Sequence, residues 1–354
     1  AILDIAPYVG GRATAEGHAR VFKLSSNESP LGPSPAAVEA YKTAAASLHL
    51  YPDSGAAQLR QAIGEAFGLN PDRIVCGNGS DELLHLLPQV YCSPGDEVLY
   101  SAHGFIVYPI VARAASAIPV TVPEPEMRTD VDALLARASD KTKIVFVTNP
   151  NNPTGSYNTA AELRRLRNGL PKDCLLVIDA AYADYVERND YESGIELVAT
   201  TENTVMTRTF SKIHGLAAAR VGWAYAPASV IDALNRVRGP FNVSSAAQAA
   251  AVAALRDKAH AAAAKAHNTK WLAWLKAKIE AAGLKVYPSV ANFLLVEFLA
   301  TGAKSAAEAD RFLTKRGVIL RAVGAYGLPN CLRISVGTDE GNKAAAAALE
   351  EFMS

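Results

Sequence analysis

Residues 205–223 read VMTRTFSKIHGLAAARVGW. A short apolar strand, Thr204 to Met206, runs into hydroxyls, the lysine Lys212, a glycine, an alanine-rich turn and then Arg220. A lysine beside apolar neighbours is costly unless its amine has a task. Desolvation lowers an amine's pKa and leaves a nucleophile able to form a Schiff base. Thr209, Ser211 and Arg220 are the groups a phosphate needs. An amine beside a phosphate-holding set points to pyridoxal phosphate. The alternative is an ordinary solvated loop lysine, and the rest of the chain must separate the two.

Upstream of this stretch, short apolar runs alternate with helical patterns. Val38–Leu48 and Gln58–Phe67 have helical spacing, the second with Leu59, Ile63 and Phe67 on one face. Arg73–Gly77 is expected to be a buried strand, followed by a helix from Glu82. Further strands are expected at Asp96–Tyr100, Ile118–Val122, Lys143–Val147 and Leu175–Ile178, with helices at Phe105–Ala115 and Ala160–Asn168. Continuous apolar strands separated by helices predict an α/β fold, a mainly parallel sheet covered on both faces. Ligands in such sheets collect at the carboxyl ends of the strands.

Ser244–Ala282 is rich in alanine, the best helix former. As one straight helix of about 39 residues it would reach roughly 60 Å. A break near His267-Asn268-Thr269 is therefore expected. Beyond it, strands at Val286–Phe298, Val318–Val323 and Leu332–Val336, with helices at Ala306–Arg316 and Glu340–Phe352, describe a smaller α+β lobe. The expected division is a large domain over 30–257 and a small domain made of 1–29 and 258–354.

The totals exclude several classes. The chain has 354 residues, half of them hydrophobic, with 35 basic and 35 acidic side chains and a formal net charge of zero. That balance argues against nucleic-acid or membrane-surface binding. Cys76, Cys92, Cys174 and Cys331 are scattered without metal-ligand spacing, so no metal is expected and reduced thiols are the simplest state. No apolar run is long enough to span a membrane, and AILDIAPYVGG lacks an export signal's basic start. The expectation is a cytoplasmic protein.

Four further motifs carry chemistry. Asn78-Gly-Ser-Asp-Glu82 joins a strand to a helix, either as an anion site built on Ser80 and Asp81 or as an ordinary capped helix start. In Asn149-Pro-Asn-Asn-Pro-Thr-Gly155, two prolines constrain the backbone around Asn152, suiting a fixed ligand contact. Asp179 closes an apolar strand, with Tyr182 three positions on. A carboxylate there meets a cation, such as a protonated pyridine nitrogen, or else caps a helix. Arg333 lies within the strand Cys331–Ser335 and Arg321 ends another; each is either a bidentate anion ligand or an edge arginine. Tyr51 and Phe105 are open between core and site.

Taken together, SSNESPLGPS, YPD, GNGSDE, TNPNNPTG, TFSKIHGLAAARVGW, ANFLLVEF, GVILRAV and CLRISVGT resemble, in order and separation, the fold type I pyridoxal-phosphate-dependent aminotransferases. The resemblance spans nearly the whole chain. Within the class-II family it is strongest to the histidinol-phosphate aminotransferases. It implies that Lys212 carries the Schiff base and later shuttles a proton. Asp179 would pair with the pyridine nitrogen, Asn152 and Tyr182 with the phenolic oxygen, and Phe105 would stack on the ring. Ser80, Asp81, Thr209, Ser211 and Arg220 would hold the phosphate. Tyr51 would reach the phosphate of a neighbouring subunit, which implies a homodimer. Arg333, assisted by Arg321, would bind the amino donor's anionic group, and Tyr8 and Asn27 would fold over the substrate. Histidinol phosphate has no α-carboxylate, but its phosphate ester takes that place, so one arginine serves it and the glutamate/2-oxoglutarate pair in turn. The sequence departs from the family at Ala180, in DAAY, and at SAHG before Phe105.

The activity implied is ping-pong transamination between histidinol phosphate and 2-oxoglutarate, a step of histidine biosynthesis. An aromatic amino-acid aminotransferase on the same scaffold is the alternative. A threonine-phosphate decarboxylase is more distant. A cofactor-binding sensor without turnover is disfavoured, since no basic segment precedes Tyr8.

Overall fold

The computed structural model of the protein describes residues 2–17 and 20–354. The first part of the chain runs β1 (Phe22–Lys23), α1 (Pro35–Ala45), α2 (Ala57–Phe67), β2 (Ile74–Gly77), α3 (Ser80–Tyr91), β3 (Glu97–Ser101), α4 (Val107–Ala114), β4 (Ile118–Val122) and α5 (Val131–Arg137). Then come β5 (Thr142–Thr148), α6 (Ala160–Gly169), β6 (Leu175–Asp179), α7 (Ile195–Thr200), β7 (Thr204–Thr209), β8 (Gly222–Tyr225) and α8 (Ala228–Val237). The remainder is α9 (Ser245–Arg256), α10 (Lys258–Ala281), β9 (Lys285–Val286), β10 (Phe293–Glu297), α11 (Ala306–Thr314), β11 (Val318–Ile319), β12 (Arg321–Ala322), β13 (Cys331–Ser335) and α12 (Asp339–Met353).

Seven strands form one sheet in the order β2-β8-β7-β6-β5-β3-β4. The expected mainly parallel sheet is present, with one exception. β8 pairs antiparallel with both β2 and β7, while the other neighbours are parallel. Ile144, Val145, Phe146 and Val147 of β5 and all of Leu175–Ile178 in β6 are buried on both faces. Each such side chain contributes about 1.5–3 kcal/mol by leaving water. One face packs Leu83, Leu87, Tyr108 and Phe146. The region toward α5 and α6 packs Leu134, Leu163, Leu166 and Ile178. This sandwich fixes where β5, β6 and β7 end, and those ends carry the site.

The alanine-rich stretch breaks at Asp257, ten positions before the expected His267–Thr269. Asp257 leaves helical geometry (φ −84°, ψ 70°), and its carboxylate accepts from the His260 amide, capping α10. A side chain that satisfies a new helix start outweighs a merely polar run. His267–Thr269 instead lies inside α10, where Asn268 is buried and donates to the Ala291 carbonyl at 3.1 Å.

Beyond α10, a four-stranded sheet in the order β12-β13-β10-β9 packs Leu294, Leu332 and Ile334 against Trp271, Leu313 and Leu349. The single strand expected over 286–298 is two, β9 and β10. The one expected over 318–323 also divides. β11 pairs parallel with β1 near the N-terminus, whereas β12 pairs antiparallel with β13. Among the described residues no helix is long and apolar enough to cross a membrane, and no cluster of His, Cys, Asp and Glu could hold a metal.

Candidate active site

A cavity of about 250 Å³ opens where β5, β6 and β7 end, facing β12 and β13. Fourteen of the fifteen side chains singled out in the sequence line it: Tyr8, Asn27, Ser80, Asp81, Phe105, Asn152, Asp179, Tyr182, Thr209, Ser211, Lys212, Arg220, Arg321 and Arg333. Tyr51 does not. It is 82% exposed and stacks on Phe241 with ring centroids 4.6 Å apart.

One end of the cavity is built for an anion. The helix expected from Glu82 starts at Ser80, and its N-cap is Gly79, with no side-chain cap. Ser80 and Asp81, expected as capping residues, therefore sit in the first turn. Gly79 adopts φ 76°, and a Cβ there would collide with the Arg220 guanidinium. Gly222 of β8 passes so close to the Ser80 amide that a Cβ would overlap it. Two glycines thus bring α3, β8 and Arg220 together. Arg220 donates to Asp81 Oδ2 at 3.0 Å, to Ser211 Oγ at 3.2 Å and to the Ala217 carbonyl at 3.0 Å. Its own φ is 52°, a left-handed conformation costing a non-glycine residue about 1–3 kcal/mol, as seen at functional sites. The Thr209 hydroxyl accepts from the Ser211 amide at 3.0 Å. Helix-start amides, hydroxyls and a guanidinium converge here.

Lys212 follows directly. Its Nζ donates to the Ser26 carbonyl at 3.5 Å and lies 5.5 Å from the Tyr182 ring centroid. Burial, then the positive charge of Arg333, brings the amine down to about 8. Neutral, nucleophilic amine is therefore accessible near neutral pH.

Asp179 is fully enclosed at the end of β6. Burial, then the charge of Asp81, pushes its carboxyl up to about 7. Thr207 Oγ1 donates to it at 3.3 Å and Tyr108 Oη at 3.5 Å, and the Ala181 amide also bonds it. None of these partners is a cation. The helix-cap alternative for Asp179 is not realised: the next helical turn begins at Ala183, with Tyr182 at its N-cap.

The opposite wall is held by Arg333, buried in β13. It donates to Asn152 Oδ1, and to the Ser25 carbonyl at 2.8 Å. Its buried Nε has no partner. Burial lowers its affinity for its proton, so this is a cation short of a counter-charge. Arg321 donates to the Val9 carbonyl at 2.8 Å, tying the N-terminal segment over the opening beside the half-exposed Tyr8. Asn27 adopts φ 55°, common for asparagine, and donates to Tyr182 Oη at 2.9 Å. Burial pushes the Tyr182 phenol up to about 12. Phe105 meets Tyr108 edge-on at 6.0 Å.

Pyridoxal phosphate fits this set. The amine is depressed, the anion cradle is formed, and the buried carboxylate lacks only a cation. Several contributors escaped the sequence reading. Tyr108 bonds Thr148 Oγ1 at 2.5 Å and reaches Asp179, yet on a helix it has the signature of a core aromatic, and it does stack on Phe146 at 4.4 Å. Ser26, Glu28, Thr148 and Tyr326 also line the cavity. Ser26 and Glu28 stand in a motif already singled out; Tyr326 had no local signal.

Comparison with known proteins agrees with this geometry. Residues 19–349 match the family model for class I and II aminotransferases. The chain is 56% identical over 353 residues to the histidinol-phosphate aminotransferase of Nitrobacter hamburgensis, covering 99% of this chain and 97% of the relative. It is 57% identical, with the same coverage, to one from Rhodopseudomonas palustris. A crystal structure of histidinol-phosphate aminotransferase from Sinorhizobium meliloti in complex with pyridoxal-5′-phosphate superposes with a TM-score of 0.87. It is 31% identical, and the match covers 95% of this chain and 90% of that one. The Thermus thermophilus aspartate aminotransferase with maleate shares the fold, with a TM-score of 0.82 at 24% identity over 94% of this chain and 92% of that one.

Proposed function

This chain belongs to the class I and II aminotransferases, and from that premise we propose that it transfers the amino group of histidinol phosphate to 2-oxoglutarate, with pyridoxal phosphate as cofactor. The observation that carries the substrate reading is Arg333, a buried guanidinium with an unpartnered Nε, in the same cavity as Lys212. It suits a phosphate ester in one half-reaction and a carboxylate in the other. The curated relatives with this length and identity are named for the same activity.

Bound pyridoxal phosphate supplies the carbonyl that accepts the amino group and the electron sink that eases C–H cleavage. The chain supplies position and proton traffic. The helix-start amides of Ser80 and Asp81, with Thr209, Ser211 and Arg220, would anchor the phosphate. Asp179 would hold a proton on the ring nitrogen, and that cation would offset the cost of its own burial. Asn152 and Tyr182 hydrogen-bond the phenolic oxygen, while Phe105 covers the ring. Lys212, as a neutral amine, would take the proton from the amine-bearing carbon and deliver it one atom away. Arg333, with Arg321, Tyr8 and Asn27, holds the substrate's anionic end and closes the opening.

The division at 257/258 belongs to the same reading: 30–257 as cofactor domain, with 1–29 and 258–354 as a second domain whose approach buries the substrate. The Asp257 break supports that boundary. A homodimer is proposed because Tyr51 stands outside its own cavity, available to a partner's phosphate site. A cytoplasmic location accords with a biosynthetic role.

The deciding experiment is a half-reaction screen. Histidinol phosphate should bleach the yellow enzyme, and 2-oxoglutarate should restore it. Bleaching by phenylalanine but not by histidinol phosphate would replace this substrate with an aromatic amino acid.

A further inference from the structure

We propose that Glu28 is a specificity-determining residue, accepting a hydrogen bond from an N–H of the substrate's imidazole. This deepens the substrate reading above and rests on it.

The segment before Glu28 runs between the two functional ends of the cavity. The Ser25 carbonyl accepts from Arg333 and the Ser26 carbonyl from Lys212. Asn27 then turns left-handed and buries its own side chain against Tyr182 and Ser335. That turn sets the next side chain, Glu28, on the cavity wall. Its charge is felt by the Lys212 amine, so it stands within electrostatic reach of the reacting centre.

Among the described residues three carboxylates line this cavity: Asp81, Asp179 and Glu28. Asp81 is engaged by Arg220, and Asp179 is enclosed at the cofactor end. Glu28 is the carboxylate on the substrate side. Lys23 donates to its Oε1 at 2.6 Å, and Oε2 takes no hydrogen bond from the described residues. As a surface pair alone, Lys23–Glu28 would contribute little. Glu28 stands on the wall shared by the site cavity and the neighbouring cavity that Lys23 lines, so its free oxygen is the one we assign to the substrate. An imidazole offers an N–H at any protonation state, and a phenyl ring offers none. The Glu28 side chain is 44% exposed, so a ligand that covers it takes water from the carboxylate; an imidazole N–H replaces that water and a phenyl ring does not.

The test uses two dead-end ligands without an amine, 3-(imidazol-4-yl)propyl phosphate and 3-phenylpropyl phosphate. Their binding to the holoenzyme is measured by calorimetry for wild type, Glu28→Gln and Glu28→Ala. Glu28→Ala should weaken the imidazolyl ligand by about tenfold or more, and the phenyl ligand by less than about twofold. Glu28→Gln, which keeps an acceptor but loses the charge, should fall between. Wild type that discriminates, with variants that discriminate equally well or lose both ligands together, would overturn the Glu28 assignment alone. Wild type that holds both ligands equally would overturn the substrate reading and this inference with it.

Discussion

Arg333 donates to Asn152 across the cavity, linking β13 to the loop that follows β5. The cation offered to the substrate and the amide offered to the cofactor are thus one mechanical unit. The Asn152 carbonyl oxygen is taken by Arg333, so on the proposed reading its NH₂ group is the one left to meet the cofactor's phenolic oxygen. On the proposed reading, an anion bound at Arg333 would be felt directly at Asn152.

Arg333→Ala should lower kcat/KM for histidinol phosphate by roughly 30-fold or more, since truncating one member of a buried, hydrogen-bonded charge pair costs about 2–5 kcal/mol. Arg333→Lys should recover little of this. A lysine has no planar fork to hold Asn152, the Ser25 carbonyl and an anion together. Steady-state kinetics with the phosphate substrate and with glutamate check it, and both substrates should suffer because they share the arginine.

Gly222→Ala should destabilise the protein by about 1–3 kcal/mol, the usual cost of overpacking a closed contact. The added methyl would overlap the Ser80 backbone amide, which no rotamer change relieves. Cofactor retention should fall with it, because the displaced amide belongs to the helix start that faces the phosphate. Thermal melting and a dialysis assay for pyridoxal phosphate read the two effects separately.

Tyr51→Ala should leave monomer stability nearly unchanged, since the ring is exposed and its stacking on Phe241 is a surface contact. Cofactor affinity should nonetheless fall if, as proposed, the side chain serves a partner's phosphate site. Mixing Tyr51→Ala chains with Lys212→Ala chains should restore part of the lost activity. One of the two sites in a mixed dimer then has both groups intact. No recovery on mixing would count against a shared site.

The parts of this architecture visible in the sequence are those with local causes. The doubly buried strands of the large sheet and the polar residues at their ends follow from apolar runs that stop abruptly, as at Ile178-Asp179. Strand direction has no such cause, so nothing local in Gly222–Tyr225 announced that β8 would run against its neighbours. The break at Asp257 was obscured because alanine tolerates helix throughout, leaving one capping carboxylate to decide it. Tyr108 escaped notice because a helical aromatic among apolar neighbours looks like core, and it fills both places. Its ring is core, and its hydroxyl belongs to the Asp179 network.

Asp179→Asn should stabilise the cofactor-free protein above neutral pH while abolishing useful turnover. The folded carboxyl, at about 7, lies above the 3.8 of a free aspartate, so between these the native state holds more protons than the unfolded chain. Stability therefore falls as pH rises from about 4 to 7 and stays lowered above that. The substitution removes a penalty on the order of 4 kcal/mol. Denaturant melts at pH 5 and pH 8 should show the gain mainly at pH 8, with kcat measured on the reconstituted variant.

Lys212→Met carries the opposite pH signature. The folded amine, at about 8, lies below the 10.5 of a free lysine, so between these the unfolded chain binds more protons. Wild-type stability without cofactor should rise as pH climbs from about 8 to 10.5, and below pH 8 the whole penalty is present. Methionine keeps the length of the side chain and removes the charge, giving up only a long bond to the Ser26 carbonyl. The variant should thus be more stable than wild type at pH 7 by on the order of 3 kcal/mol, with the advantage gone by about pH 10.5. Denaturant unfolding of both cofactor-free proteins across this range measures it. A pH-independent difference would mean that the methionine acts through packing, and that the Lys212 amine is not held in its depressed state by burial.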